Sequence, residues 1–178
     1  MLIADAQREI RQAYIGGFMG QLVSGVLWFA TAALATWGTS RAAIIFVVLG
    51  GMLIFPLTRL GLVAIGHRVV ITPGNPLNGL AMQVAFTLPI SLPVVGAAAL
   101  YRLDWFFPAF MIVLGAHYLP FVFLYGMRIY AVLCGLLVSA GLGLALYGPP
   151  SFAAGAWVTC ALLIAFAFAG RWVALHEE

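Results

Sequence analysis

Six apolar stretches, each about as long as a bilayer is thick, follow one another along this chain with only short polar breaks between them. A helix rising about 1.5 Å per residue needs about 20 residues to cross a hydrocarbon core of about 30 Å. Six such helices use nearly all of the 178 residues, which leaves no length for a soluble domain. The expectation is therefore a single all-α domain over residues 1–178, a polytopic transmembrane helical bundle. Its spans fall at about 15–37, 42–64, 78–100, 105–125, 129–147 and 151–171. Short connections make consecutive helices antiparallel neighbours. A β-barrel would show segments of alternating polarity, whereas Ala42 to Leu57 is one apolar run. The first apolar stretch follows a mixed-charge segment and is too long for the core of a cleavable signal peptide.

Charged residues make up 7% of the chain, so their placement carries the orientation. All eight basic residues are arginine. Arg8, Arg11, Arg59, Arg68, Arg128 and Arg171 fall on one side of the spans, and Arg41 and Arg102 on the other. The positive-inside rule then puts both termini of this multi-pass protein in the cytoplasm. The net charge of +3 reads as this orientation signal and not as a nucleic-acid-binding face, which needs clustered basic residues. Cys134 and Cys160 lie inside the fifth and sixth spans and read as small buried hydrophobes.

Before the first span, Ile3, Ala6, Ile10, Ala13 and Tyr14 share one helical face, with Asp5, Arg8, Glu9 and Gln12 opposite. This is the pattern of an interfacial amphipathic helix lying on the membrane surface, and a lid helix is the rarer alternative. Gly16, Gly20 and Ser24 in the first span, and Gly135, Ser139 and Gly143 in the fifth, form ridges of small residues that suit close packing, with packing inside the chain favoured over a second subunit. The segment from Gly66 to Leu77 is a turn punctuated by Pro73, Gly74, Asn75 and Pro76, and His67 in it reads as a solvated surface residue, as does His176 in the tail. Pro89 and Pro93 predict a kink or local unwinding in the third span. Val48–Gly61 and Val113–Gly126 share a faint echo, Val-Leu-Gly at the start and Gly at the end, compatible with related hairpins.

The fourth span places His117 near mid-membrane, where ionisable groups are rare and face a bundle interior or a wet cavity. Helical spacing sets Phe121, Tyr125 and Arg128 below it, while Gln83, Thr58 and Arg59 fall at similar depths on the second and third spans. The candidate ligand-binding set is His117, Tyr118, Tyr125, Gln83, Arg59 and Arg128, with the arginines drawing an anionic or polar group. The competing reading makes His117 an interhelical fastener and lets the arginines snorkel to lipid phosphates. No Asp or Glu lies within a span: Asp104 accompanies Arg102 in a loop, and the other acids are near the termini. That excludes a carboxylate proton relay, and the motifs of metal, haem, phosphate-loop and Ser-His-Asp sites are missing, so no cofactor is expected.

The run Gly115-Ala116-His117-Tyr118-Leu119-Pro120 continuing to Tyr125, with Asn75-Pro76-Leu77 and Pro56, resembles a family of small prokaryotic multi-pass membrane proteins known as a domain of unknown function. The resemblance covers about Leu49 to Gly135 and implies a helical bundle of the bacterial or archaeal inner membrane, without any activity to carry over. Three functions stay open. The leading one is a small-molecule transporter, channel or binding protein with a polar cavity open to the cytoplasm. The second is an intramembrane enzyme on a lipid or isoprenoid, with His117 as base, which lacks a second catalytic group. The third is an accessory protein without a ligand. The expected partners are the bilayer, a small polar or anionic ligand and, through the ridges, a second copy of the chain.

Overall fold

A computed structural model describes residues 1–176, and Glu177 and Glu178 lie outside the described residues. The chain is helical throughout, with no strand among the described residues. The elements are α1 (Ile3–Ala13), α2 (Phe18–Trp37), α3 (Ser40–Gly51), α4 (Ile54–Ala64), α5 (Asn78–Tyr101), α6 (Phe106–Tyr118), α7 (Phe121–Tyr125), α8 (Ile129–Tyr147) and α9 (Ala154–His176). Five stretches are long and apolar enough to cross a membrane without a sharp bend: Ile15–Trp37, Asn78–Tyr101, Leu103–Tyr125, Ile129–Tyr147 and Ala154–His176. α3 and α4 meet the same length and apolarity only as a pair, bent by 61° at their break, a broken span or a re-entrant loop, so the described residues hold five or six such stretches. Large apolar side chains such as Val26, Phe29, Phe55, Leu60, Phe86, Ile90, Leu136 and Phe168 are exposed around the bundle, as lipid-facing positions require. This is a multi-pass membrane protein.

The break in the second span sits at Met52-Leu53, directly after Gly50-Gly51, two positions with weak helix propensity, and ahead of Pro56, which has no N–H for the Met52 carbonyl. By contrast α5 runs unbroken through Pro89 and Pro93, so the local unwinding expected there is not found. Each proline forfeits one backbone bond but fits a helix whose other bonds are kept, and Ser91 turns its hydroxyl back onto the Thr87 carbonyl at 2.7 Å.

Two helix pairs make the core, α2 with α9 and α6 with α8. Both depend on missing side chains. A Cβ at Gly25 would sit 2.6 Å from Cγ1 of Ile164 on α9, and one at Gly141 would sit 2.7 Å from the Pro108 carbonyl on α6. The first ridge packs within the chain, with Gly16 against Ala174 and Met127, and Gly20 facing Thr58. The second does not: Gly135 and Gly143 meet open space and Ser139 is exposed, because α8 turns Leu133, Leu137 and Gly141 toward its neighbours instead. α5 leans on α6, while α3 and α4 lean on α2, leaving a gap between α4 and α5.

Chain direction reverses sharply between α1 and α2. Ile15, Gly16 and Gly17 have φ of 51°, 59° and 82°, three consecutive left-handed residues of which only the glycines adopt that backbone without strain. The turn folds α1 onto the bundle end formed by α7 and the 66–77 loop. Its apolar face, Ala6, Ile10 and Ala13, is buried against the protein itself, so α1 is docked on the chain and not laid with that face in lipid. At the opposite end Trp37, Tyr101, Trp105 and Trp157 form an aromatic girdle, with the Arg102–Asp104 ion pair at 2.6 Å beside it.

Candidate functional site

The site begins with the way the fourth span ends. Pro120 lacks an N–H, so α6 stops at Tyr118, Leu119 closes a tighter turn onto the Ala116 carbonyl at 3.3 Å, and α7 restarts at Phe121. Gly126, at φ 68°, then terminates α7 and sends the chain into α8. This short relay stacks His117, Tyr118, Phe121 and Tyr125 along one side, and Tyr130 from the first turn of α8 closes against them. The Tyr130 ring lies within 19° of parallel to Tyr118 and 24° to Tyr125, at centroid distances of 6.0 and 5.5 Å. Its hydroxyl donates to the Gly16 carbonyl at 2.6 Å, which ties this aromatic stack to the α1–α2 turn.

Facing the stack is a cavity of about 120 Å³. His117, Tyr118, Phe121 and Tyr125 form one wall, and α2 supplies Gly20, Gln21 and Ser24 opposite. Ile54 and Thr58 of α4, with Tyr14 at the end of α1, complete it. The lining contains no Asp, Glu, Lys or Arg. Thr58 commits its hydroxyl to the Ile54 carbonyl at 2.7 Å, and Ser24 lies against the Tyr118 hydroxyl. Gln21 is 4% exposed, and its Oε1 has no hydrogen-bond partner in the protein. That oxygen lies beside Gly170 of α9, and a buried acceptor left unmet costs about 1–3 kcal/mol.

His117 is partly buried and reaches across to α5, with Nδ1 at 2.8 Å from the Thr87 hydroxyl. The same hydroxyl lies 2.7 Å from the Val84 carbonyl, so when it donates there it accepts from His117 Nδ1–H and Nε2 is the acceptor. His117 is thus at once a fastener between α5 and α6 and part of the cavity wall. Of the six residues expected from sequence, the structure brings together His117, Tyr118 and Tyr125. Gln83, Arg59 and Arg128 are exposed and outside the lining. Gln21, Ser24, Tyr14 and Tyr130 escaped the sequence reading. Thr87 had a signal, since Gln83, Thr87 and Ser91 recur every four residues along an otherwise apolar helix.

A polar clasp holds α1 over this end of the bundle. Glu9 accepts from the Thr72 amide at 2.8 Å, from the Thr72 hydroxyl, and from Asn75 Nδ2 at 2.6 Å. These bonds, the Thr72 hydroxyl first and Asn75 next, hold the Glu9 carboxyl below its usual range. His67, expected to be solvated, instead donates Nε2–H to the last carbonyls of α1, Gln12 at 3.1 Å and Ala13 at 3.2 Å. From the other side Gln7 donates to the Phe123 carbonyl at 2.5 Å and Arg11 to the Tyr125 carbonyl at 3.3 Å.

No group of three or more metal-ligating side chains occurs among the described residues. Neither a curated protein nor a solved structure matches the chain. The likeness carried by the segment around His117 and by Asn75-Pro76-Leu77 extends well beyond them, into the first span and the last two: the chain matches the model of DUF7010, a family of unknown function, over residues 3–171, and it belongs to that family.

Proposed function

We propose that this protein binds a small molecule in the cavity beside His117 and serves as a small transporter or ligand-binding protein of a prokaryotic inner membrane. The observation that carries the reading is the meeting of His117, Tyr118 and Tyr125 with Gln21 and Ser24 of α2 at one cavity inside an otherwise apolar bundle. Ligand sites are clefts of mostly apolar and aromatic lining with a few convergent polar groups, which is the make-up of this one. The excess of arginine on the α1 side, six against two, supports an orientation with α1 and both termini in the cytoplasm. The cavity then lies toward the cytoplasmic half, next to the helix that caps it.

The test is thermal unfolding of the purified protein against a panel of lipids, nucleobases, amino acids and organic anions. A ligand at 100 times its Kd contributes about 2.7 kcal/mol, which raises Tm by about 5–10 °C for a chain of this size. The expected result is one class that stabilises wild type and loses its effect in His117→Ala and Gln21→Leu. A panel that leaves the wild-type Tm unmoved overturns the reading.

One observation favours a second reading, an accessory role through self-association. The Gly135, Ser139 and Gly143 stripe has open space beside both glycines and an exposed serine between them. Light scattering of Gly135→Ile in detergent addresses it: a change to a smaller assembly supports the interface, and an unchanged mass removes it.

A further inference from the structure

We infer that the cavity beside His117 is entered from the bilayer, through the seam between α4 and α5, and that its ligand is a lipid with an uncharged polar end, of which a long-chain alcohol is the simplest member. The inference rests on the proposed binding role and adds to it a route and a chemical class.

The route follows from what packs together and what does not. The cavity is walled by α2 and α4 on one side and by α6 and α7 on the other. α2 is backed by α9 and α6 by α8, so the core side is closed. α4 leans on α2 and α5 on α6, with no comparable packing of α4 against α5 or α6, and the walls part along that seam. At the end of the bundle Tyr14 stands in the wall, and Glu9, His67, Gln7 and Arg11 hold α1 down across it. The side left open looks into the membrane. α4 and α5 carry exposed Phe55, Leu57, Phe86 and Ile90, the surface of helices that stand in lipid.

The seam has a polar edge. Gln83, Thr87 and Ser91 recur every four residues on α5, beside the face that buries Val84 and Val95. The Thr87 hydroxyl stands 2.8 Å from His117 Nδ1, and His117 lines the cavity, so this edge borders the cavity mouth. Gln83 and Thr87 are exposed there. Polar side chains within a bilayer are costly against hydrocarbon and are met by protein or by a polar occupant. A lipid whose polar end sits at this mouth supplies such an occupant while its chain stays among the chains of the bilayer.

Size and charge set the class. A dry cavity of about 150 Å³ takes one benzene. At about 120 Å³ this one takes the end of a lipid and not its body. Its lining carries no Asp, Glu, Lys or Arg, so a charged end would be desolvated without a counter-charge. A hydroxyl avoids that penalty, and it both donates and accepts, as a lining of His117, Ser24 and tyrosines requires.

The test is photo-crosslinking in lipid nanodiscs with diazirine analogues of hexadecanol, hexadecanesulfonate and butanol, each with the diazirine beside its polar end, and with labelled residues read by peptide mass spectrometry. The hexadecanol probe is expected to label Thr58 and the segment 117–125. Excess unlabelled hexadecanol is expected to remove that label and to leave the label on exposed Leu136 of α8, which reports unspecific contact with lipid. The sulfonate is expected to label the cavity at least about tenfold less, because its charge is unpaired there. Butanol, which has no chain to hold it in the bilayer, is expected to label it weakly at the same total concentration. Thr87→Trp narrows the mouth and is expected to lower cavity labelling severalfold. Gln83→Trp, one turn along the same edge, does so without touching the contact with His117 and serves should the first variant fail to fold. Glu9→Gln, which loosens α1, is expected to leave labelling unchanged. Cavity labelling by the sulfonate or butanol as strong as by hexadecanol overturns the inference. Label that unlabelled hexadecanol does not displace, labelling unmoved by both tryptophan variants, or labelling that rises in Glu9→Gln does the same. A water-soluble compound that still stabilises wild type but not His117→Ala would then leave the binding role standing and remove only the lipid and its route.

Discussion

The hydroxyl of Tyr130, at the start of α8, donates to the carbonyl of Gly16, in the left-handed turn between α1 and α2, at 2.6 Å. The bond joins residues 114 apart in sequence and both are buried. Tyr130→Phe keeps the ring in its stack and removes only the donor. The carbonyl is then left unmet at a cost of about 1–3 kcal/mol, and Tm is expected to fall by about 2–10 °C in a detergent melt.

Gly17 supports the same junction from the other side. At φ 82° it occupies a region that costs an L-residue about 1–2 kcal/mol, and a Cβ there would collide with the Tyr130 hydroxyl. Gly66, at φ 73°, has open space where its Cβ would be. Gly17→Ala is therefore expected to destabilise more than Gly66→Ala, which bears the backbone term alone. Equal losses in parallel melts would show that the contact with Tyr130 yields freely.

The pair Thr87 and His117 is separable by a double-mutant cycle. Interhelical hydrogen bonds in membranes average about 0.6 kcal/mol with a maximum near 1.7. Thr87→Val, His117→Ala and their combination are expected to give a coupling within that range. A coupling of zero would mean that the 2.8 Å contact holds no helices together and that His117 serves the cavity only.

The clasp on α1 is expected to depend on pH through Glu9. Its folded pKa is lowered from the ordinary 4.5, first by the Thr72 hydroxyl and then by Asn75. A lowered carboxyl contributes stability that is fully present above 4.5 and is lost as pH falls through the folded value. Amide exchange of α1, corrected for intrinsic rates, should stay slow from neutrality to about pH 5 and accelerate below pH 4.5. Glu9→Gln is expected to exchange faster at neutral pH and to lose the acid step.

Hydropathy made the spans legible, because a bilayer demands length and apolarity and the chain has little else. It is blind to where a span bends. Met52-Leu53 lies inside a run as apolar as its flanks, so the 61° break between α3 and α4 left no mark on the profile, while Pro89 and Pro93 marked a disturbance that α5 absorbs without breaking. The echo of Val48–Gly61 in Val113–Gly126 was faint, yet both segments are interrupted, one before Ile54 and the other at Leu119-Pro120. His117 was legible as a rare intramembrane polar residue. Gln21 was not, since it stands near the start of a span among small residues, and only the approach of α9 at Gly170 shows that it is buried. Amphipathicity told that α1 would hide one face, and could not tell whether protein or lipid would cover it. The answer lay in Glu9 and Asn75, 66 residues apart, a distance that no local pattern spans.

α5 has a protein neighbour on one side only. Along most of its length its second neighbour is hydrocarbon, so the thickness of the surrounding bilayer is a structural parameter of the chain in the way that a facing helix would be. Hydrophobic mismatch acts on such a helix through its tilt. The 2.8 Å contact of the Thr87 hydroxyl with His117 couples that tilt to a residue of the cavity wall, so ligand affinity is expected to differ between bilayers of different chain length.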